Sequence, residues 1–127
     1  MKYLLDTNVL IWCFDDPYNL SSVVLDIIKN TENTFYISIA SLWEIAIKLS
    51  IKKLDTSISL NRLNDLIKKK NIKILPIKQK YLKIILHLPM YHKDPFDRLF
   101  IATAIAEEIP IITSDRDIHH YEVNWIW

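Results

Sequence analysis

Glycine is absent from the chain. That excludes Gly-rich phosphate loops, and with them P-loop nucleotide chemistry and dinucleotide fingerprints. It also means that helices must end without the usual left-handed glycine, with Asn or Pro as the expected terminators. Cysteine occurs once, at Cys13, so no internal disulfide is possible and a reducing, cytoplasmic location is expected. No apolar run approaches the ~20 residues that a membrane helix needs. The apolar start Met1–Leu5 meets Asp6 too early to read as a secretory signal, and no membrane role is expected. Compact His/Cys sets of the zinc type are lacking too: His119 and His120 are adjacent, and their rings would not share a helix face.

What is present suits a packed globule. The chain has 127 residues, half of them hydrophobic, enough for one domain (1–127) with a core that needs no staples. The net charge of +1 is uninformative, but its distribution is not. Between Lys48 and Lys93 lie twelve Lys or Arg against two acids, Asp55 and Asp65. The remainder holds four basic residues and thirteen acids. Such a stretch reads either as a surface that attracts phosphates beside an acidic centre or as lysines decorating solvated helices.

Periodicity alternates along the chain. Lys2–Leu5, Thr34–Ser38, Ile72–Ile77, Pro110–Thr113 and Val123–Trp127 read as strands, the last at an edge. Thr7–Phe14, Ser21–Lys29, Ser41–Ile51, Leu60–Lys70 and Gln79–His87 read as helices, with a turn at Asp15–Pro17. Asp94 is a good N-cap with Pro95 at the first helical position, opening a helix to about Glu108. Strands separated by helices imply parallel pairing through right-handed crossovers, so the fold class is α/β with one central sheet. Sites in such sheets form beyond the carboxyl ends of strands, near the topological switch point.

Asp6 follows the first strand directly, and Asp115 follows the PIIT strand after Thr113 and Ser114. Glu44 and Asp97 fall in the expected first turns of two helices. Each acid has a bland explanation: Asp6 as a cap, Glu44 and Asp97 as capping-box partners of Ser41 and Asp94, Asp115 as a turn residue. For all four to hold together, in neighbouring elements of one sheet, is the weaker account. Three or four carboxylates in one pocket repel each other, and a divalent cation resolves the repulsion. Oxygen-only ligands suit Mg²⁺ or Mn²⁺, which activate water and stabilise charge in phosphodiester hydrolysis.

Four segments then resemble one family in order: Leu4–Trp12 (LLDTNVLIW), Ser38–Lys48 (SIASLWEIAIK), His92–Ala104 (HKDPFDRLFIATA) and Ile112–Asp115 (ITSD). The chain resembles the PIN domain, in particular the VapC-type toxin ribonucleases of type II toxin–antitoxin systems. The resemblance implies a single PIN-like domain with a parallel sheet of about five strands flanked by helices. It implies Asp6, Glu44, Asp97 and Asp115 as the catalytic, metal-holding acids, the first three as the core set and Asp115 as a fourth that stands behind them or binds a second ion. Thr7 or Asn8 would help hold Asp6, and Thr113 would be the hydroxyl accompanying the last acid. Asp94 reads mainly as the helix cap, while Arg98 would orient acids or bind phosphate. Lys48, Lys93 and Arg98 are the candidate phosphate contacts. The chain departs from the pattern at Ser50–Leu54, where relatives often carry a glycine, at Thr103, where Gln is common, and in the tail His119-His120-Tyr121.

The implied function is Mg²⁺- or Mn²⁺-dependent endoribonuclease action as the toxin of a VapBC-type pair. The expected partners are an RNA substrate, a VapB-type antitoxin and a second copy of the chain. The tryptophans Trp12, Trp43, Trp125 and Trp127 divide between core and interface roles. The alternative is a non-catalytic PIN-like module binding RNA or protein, whose mark would be loss of an acid; all four are present. A phosphoaspartate phosphatase would need a second Asp where Asn8 stands. A receiver-type signalling domain would need a phosphorylatable Asp on a middle strand, and TFYIS has none.

Overall fold

A computed structural model of the protein describes residues 1–54 and 56–127; Asp55, one of the two acids of the basic stretch, lies outside the described residues. The strands are β1 (Lys2–Leu5), β2 (Thr34–Ser38), β3 (Lys73–Leu75), β4 (Ile111–Ile112) and β5 (Trp125–Ile126). The helices are α1 (Thr7–Asp15), α2 (Ser22–Lys29), α3 (Ile39–Ser50), α4 (Leu60–Lys69), α5 (Gln79–His87) and α6 (Pro95–Glu107). The strands form one five-stranded sheet in the order β3-β2-β1-β4-β5. Every pairing is parallel, with Leu4 opposite Tyr36 on one side and Ile111 on the other. The chain fills one half of the sheet through β3 and then crosses to β4, so the switch point lies between β1 and β4. Among the described residues no helix is long and apolar enough to cross a membrane.

Alternation along β1 splits the core into two layers. Tyr3 and Leu5 pack with Val9, Leu10, Ile11, Val24, Ile45, Leu63 and Ile67 from α1 to α4. Leu4 and Ile111 pack on the other face with Tyr81 of α5 and Leu99, Phe100, Ile101 and Ala102 of α6. Helix α6 is buried without a break from Arg98 to Ala104, and the polar groups in that run, Arg98 and Thr103, are satisfied by main-chain carbonyls.

Two local readings are corrected. The third helix begins at Ile39, not Ser41, because the Ser38 hydroxyl accepts from Ala40 N at 3.1 Å and turns strand into helix with no loop between. Glu44 therefore stands beyond the first turn, and a capping box with Ser41 does not form. The strand read over Ile72–Ile77 is regular only at Lys73–Leu75, so that it starts one residue later than read and stops before Pro76, where a proline is expected to end the ladder. In the absence of glycine, left-handed backbone falls on Lys52, Asn71 and Glu108, with φ of 54°, 55° and 55°. Asn71 was the expected kind of residue; Lys52 and Glu108 were not. Lys52 lies in the segment where the resembled family often carries glycine.

Candidate functional site

The acids gather at the switch point. Asp6 closes β1 and caps α1, its Oδ1 accepting from Val9 N at 2.8 Å. Its Oδ2 accepts from the Thr113 hydroxyl, which reaches across from the end of β4. The same hydroxyl accepts from Asp115 N at 3.1 Å, so Thr113 ties the first and last acids together. Asp6 is buried, and its pKa is pushed up to about 6, first by burial and then by the charges of Asp115 and Glu44, against the bonds from Thr113 and Val9.

Thr7 does not hold Asp6. Its hydroxyl donates to Ser41 Oγ at 3.1 Å, pinning the start of α1 to α3 and so bringing Glu44 beside Asp6. Asn8 is exposed on the first turn of α1, and the groups that hold Asp6 are Val9 and Thr113. Glu44 is buried, with Oε2 on Lys48 Nζ at 3.1 Å. Its Oε1 is buried with no hydrogen-bond partner. Lys48 is thus committed to an acid of the pocket rather than free for phosphate.

Asp94 caps α6, Oδ1 accepting from Phe96 N at 2.8 Å and Asp97 N at 3.1 Å. Asp97 does not complete a capping box, because Asp94 N donates instead to His92 Nδ1 at 3.1 Å. The Asp97 carboxylate turns to His92, with Oδ2 at 2.9 Å from Nε2, and Asp115 Oδ2 stands at 2.9 Å from the same nitrogen. Asp115 Oδ1 also accepts from Asp117 N at 2.9 Å, so the turn role expected of it is real as well. Burial, the charge of Asp94, and those of Asp6 and Asp115 raise the Asp97 pKa to about 7, while His92 opposes the rise. Burial works to lower the His92 pKa, but its bond to Asp115 and the nearby acids outweigh that and raise it.

Arg98 is corrected. It is buried, with Nη1 donating to Pro89 O at 2.8 Å and to the Tyr121 hydroxyl at 3.3 Å, and Nη2 donating to Ile85 O at 3.1 Å. It clamps the chain between α5 and α6, and among the described residues it makes no direct contact with an acid, its donors being spent on main-chain oxygens and the Tyr121 hydroxyl. Lys93 is exposed beside the Asp94 cap and remains available. His92 carries no role in the sequence reading, and its position two residues before the cap Asp94 is the only signal the sequence offers for it. Tyr121 and His119, in the tail that departs from the family pattern, also bear on the site. The Tyr121 hydroxyl accepts from His92 N at 2.8 Å, and His119 Nε2 lies 2.9 Å from Thr113 O.

The donor set fits a divalent cation. Like charges share a buried pocket, two carboxylates resist ionisation, and one buried oxygen lacks a partner. A buried unpaired oxygen costs ~1–3 kcal/mol, which a cation would relieve. Among the described residues, the one group of three such ligands whose atoms all lie within 4.8 Å of one another is His92, Asp115 and Asp117, so the four acids would have to draw closer around an ion. That trio is a poorer site: Nδ1 already accepts from Asp94, so Nε2 carries a hydrogen and offers no lone pair. A cleft of about 600 Å³ lined by Ala104, Glu108, Tyr121 and Asn124 contains none of the four acids.

Several solved structures share the fold. VapBC2 from Rickettsia felis, bound to a DNA fragment from its promoter, superposes with a TM-score of 0.69 at 19% identity over 99% of this chain and 98% of that one. DNA-bound VapBC from Salmonella typhimurium gives 0.67 at 15% identity, covering 99% and 97%. FitAcB from Neisseria gonorrhoeae gives 0.64 at 20% identity, covering 98% and 96%. No curated protein is similar enough in sequence to stand as a relative. The family model of the PIN domain matches residues 3–124, so that this chain belongs to the PIN-domain family.

Proposed function

We propose that this chain is an endoribonuclease dependent on Mg²⁺ or Mn²⁺, acting as the toxin of a VapBC-type toxin–antitoxin pair. The observation that carries the reading is Glu44 Oε1, buried and unpartnered in an acidic pocket at the switch point of a PIN-domain sheet. Asp6, Glu44, Asp97 and Asp115 are the residues that would hold the ion. Bound there, it would supply polarisation of the phosphodiester and stabilisation of charge on the leaving oxygen.

The chain's own groups prepare that pocket. Val9 N–H and the Thr113 hydroxyl fix Asp6, and Lys48 neutralises one oxygen of Glu44. A carboxylate pocket repels an RNA backbone, so flanking phosphates need cations at its lip. Lys93 is the contact among the three candidates that remains open. A single-stranded or loop target suits sequence-selective cutting.

The partners are a small antitoxin and a second copy. Ile39, Trp43 and Ile47 form an exposed stripe at four-residue spacing on α3. A single stripe that meets itself about a twofold axis satisfies an isologous interface, so we assign it to the second copy. A cytoplasmic location belongs to the same reading. The test is incubation of purified protein with total cellular RNA and Mg²⁺ or Mn²⁺, beside EDTA and Asp6→Asn controls. Discrete fragments lost in both controls are expected. Intact RNA, with folded protein and bound metal, would favour the non-catalytic binding module.

A further inference from the structure

We propose that His92 is a positioning residue that sets the spacing of Asp97 and Asp115 for the ion, and that Arg98 and Tyr121 act on the site by fixing His92. This rests on the reading of the four acids as a metal site. Three observations carry it. First, Nε2 of His92 hydrogen-bonds Asp115 Oδ2 at 2.9 Å and stands 2.9 Å from Asp97 Oδ2, so one ring sits between the start of α6 and the end of β4. Second, the ring is fixed in tautomer and in place. Asp94 N donates to Nδ1, which leaves the hydrogen on Nε2 facing the acids.

Third, the backbone that carries the ring is locked from both sides. His92 N donates to the Tyr121 hydroxyl at 2.8 Å, and that hydroxyl donates to Pro89 O at 2.8 Å. Arg98 Nη1 closes the loop onto Pro89 O at 2.8 Å, onto Tyr121 at 3.3 Å and onto His92 O at 3.4 Å. The closed circuit Arg98–Pro89–Tyr121–His92 meets the two acids through the His92 ring.

A carboxylate offers about four lone-pair positions. The one Nε2 hydrogen uses a single position on Asp115 and leaves the lone pairs of Asp97 free, so a cation need not displace the ring. The imidazole works from behind, holding two repelling carboxylates at a fixed separation, as hydrogen-bonding partners of metal ligands do.

Mn²⁺ titration calorimetry on wild-type, His92→Leu, His92→Gln and Tyr121→Phe protein tests this, with metal-free melting curves for each. Wild-type protein should bind Mn²⁺. His92→Leu should bind about ten- to a hundredfold more weakly. His92→Gln, whose amide N–H reaches the place of Nε2, should recover most of that loss at an equal melting temperature. Tyr121→Phe should fall between, and it decides the matter if His92→Leu does not fold. Unchanged or tighter binding by His92→Leu, with wild type binding, would overturn the role of His92 and leave the metal site standing. Absence of Mn²⁺ binding by wild-type protein would overturn both.

Discussion

The Thr113 hydroxyl donates to Asp6 across the seam between β1 and β4, and the same oxygen receives Asp115 N. One side chain thereby links the two acids that end neighbouring parallel strands. Thr113→Val keeps the shape and removes the bond. Asp6 would then lose its main stabilising partner while remaining buried, at a cost of ~1.5–3 kcal/mol for a bond to a charged group. Urea unfolding at pH 8 should show that loss. Mn²⁺ affinity should fall in parallel, and an unchanged midpoint and affinity would show the bond to be idle.

The raised acids set a pH dependence for the metal-free protein. Asp6 is pushed up from 3.8 to about 6 and Asp97 from 3.8 to about 7. The folded state therefore holds these protons more tightly than the unfolded chain does. The stability they contribute is complete below pH 4 and is lost as pH rises through 6 and 7. For buried Asp6 the loss is on the order of 3 kcal/mol. Other groups add their own slopes, so the readable comparison is with Asp6→Asn, which should flatten the fall between about pH 4 and 6. Saturating Mn²⁺ should raise the melting temperature more at pH 8 than at pH 5, because at low pH the ion must displace protons. Equal shifts at both values would contradict an ion held by these two acids.

Backbone conformation offers a prediction independent of function. Lys52 and Glu108 take left-handed φ of 54° and 55°, where a Cβ costs ~1–2 kcal/mol. Lys52→Gly and Glu108→Gly should each stabilise the protein by roughly 0.5–1 kcal/mol, after the greater flexibility of glycine in the unfolded chain is subtracted. Denaturant midpoints should rise with unchanged slopes. A fall at either site would mean that its side chain does more in the fold than its exposure suggests.

The exposed stripe on α3 bears on assembly. Trp43 is 59% exposed, and its only aromatic partner among the described residues is Phe96, at 5.1 Å and edge-on. Trp43→Glu should convert a dimer to a monomer in sedimentation, with melting little changed, because the ring is not part of the core. Identical sedimentation of the two proteins, both dimeric, would place the interface elsewhere.

Most of the acidic centre is legible in the sequence because burial writes it there. Asp6 and Asp115 interrupt apolar strands, and a charge in such a place demands a reason. Glu44 and Asp97 are found instead by their place near helix starts and by the motifs around them, although Glu44 lies deeper in its helix than Ser41 suggests, since Ser38 supplies the cap. What escapes notice is held by backbone atoms. Arg98 spends its guanidinium on the carbonyls of Ile85, Leu88, Pro89 and His92, and any residue type can offer a carbonyl. His92 gains its role from Asp115, 23 positions away, once β4 folds beside β1. The basic stretch likewise divides only in three dimensions, with Lys48 on Glu44, and Lys78 and Lys80 on Glu107.

That division separates two cations of the same motif. Arg98 is buried and its donors meet main-chain oxygens, so Arg98→Ala strands several acceptors and should cost at least ~3 kcal/mol. Arg98→Lys should not rescue it, because one ammonium cannot span carbonyls on both sides of the fork. Lys93 is exposed and five residues away in sequence, and Lys93→Ala should leave stability within ~0.5 kcal/mol. If it contacts a phosphate, its loss should weaken RNA binding evenly across sequences and reduce the slope of log affinity against log salt by about 0.7. RNA binding measured at several salt concentrations, on protein disabled by Asp6→Asn, checks both. A variant at Lys93 that binds with the wild-type slope would remove it from the interface. A stable Arg98→Ala protein with a reduced slope would return Arg98 to the phosphate role that its burial and carbonyl partners now argue against.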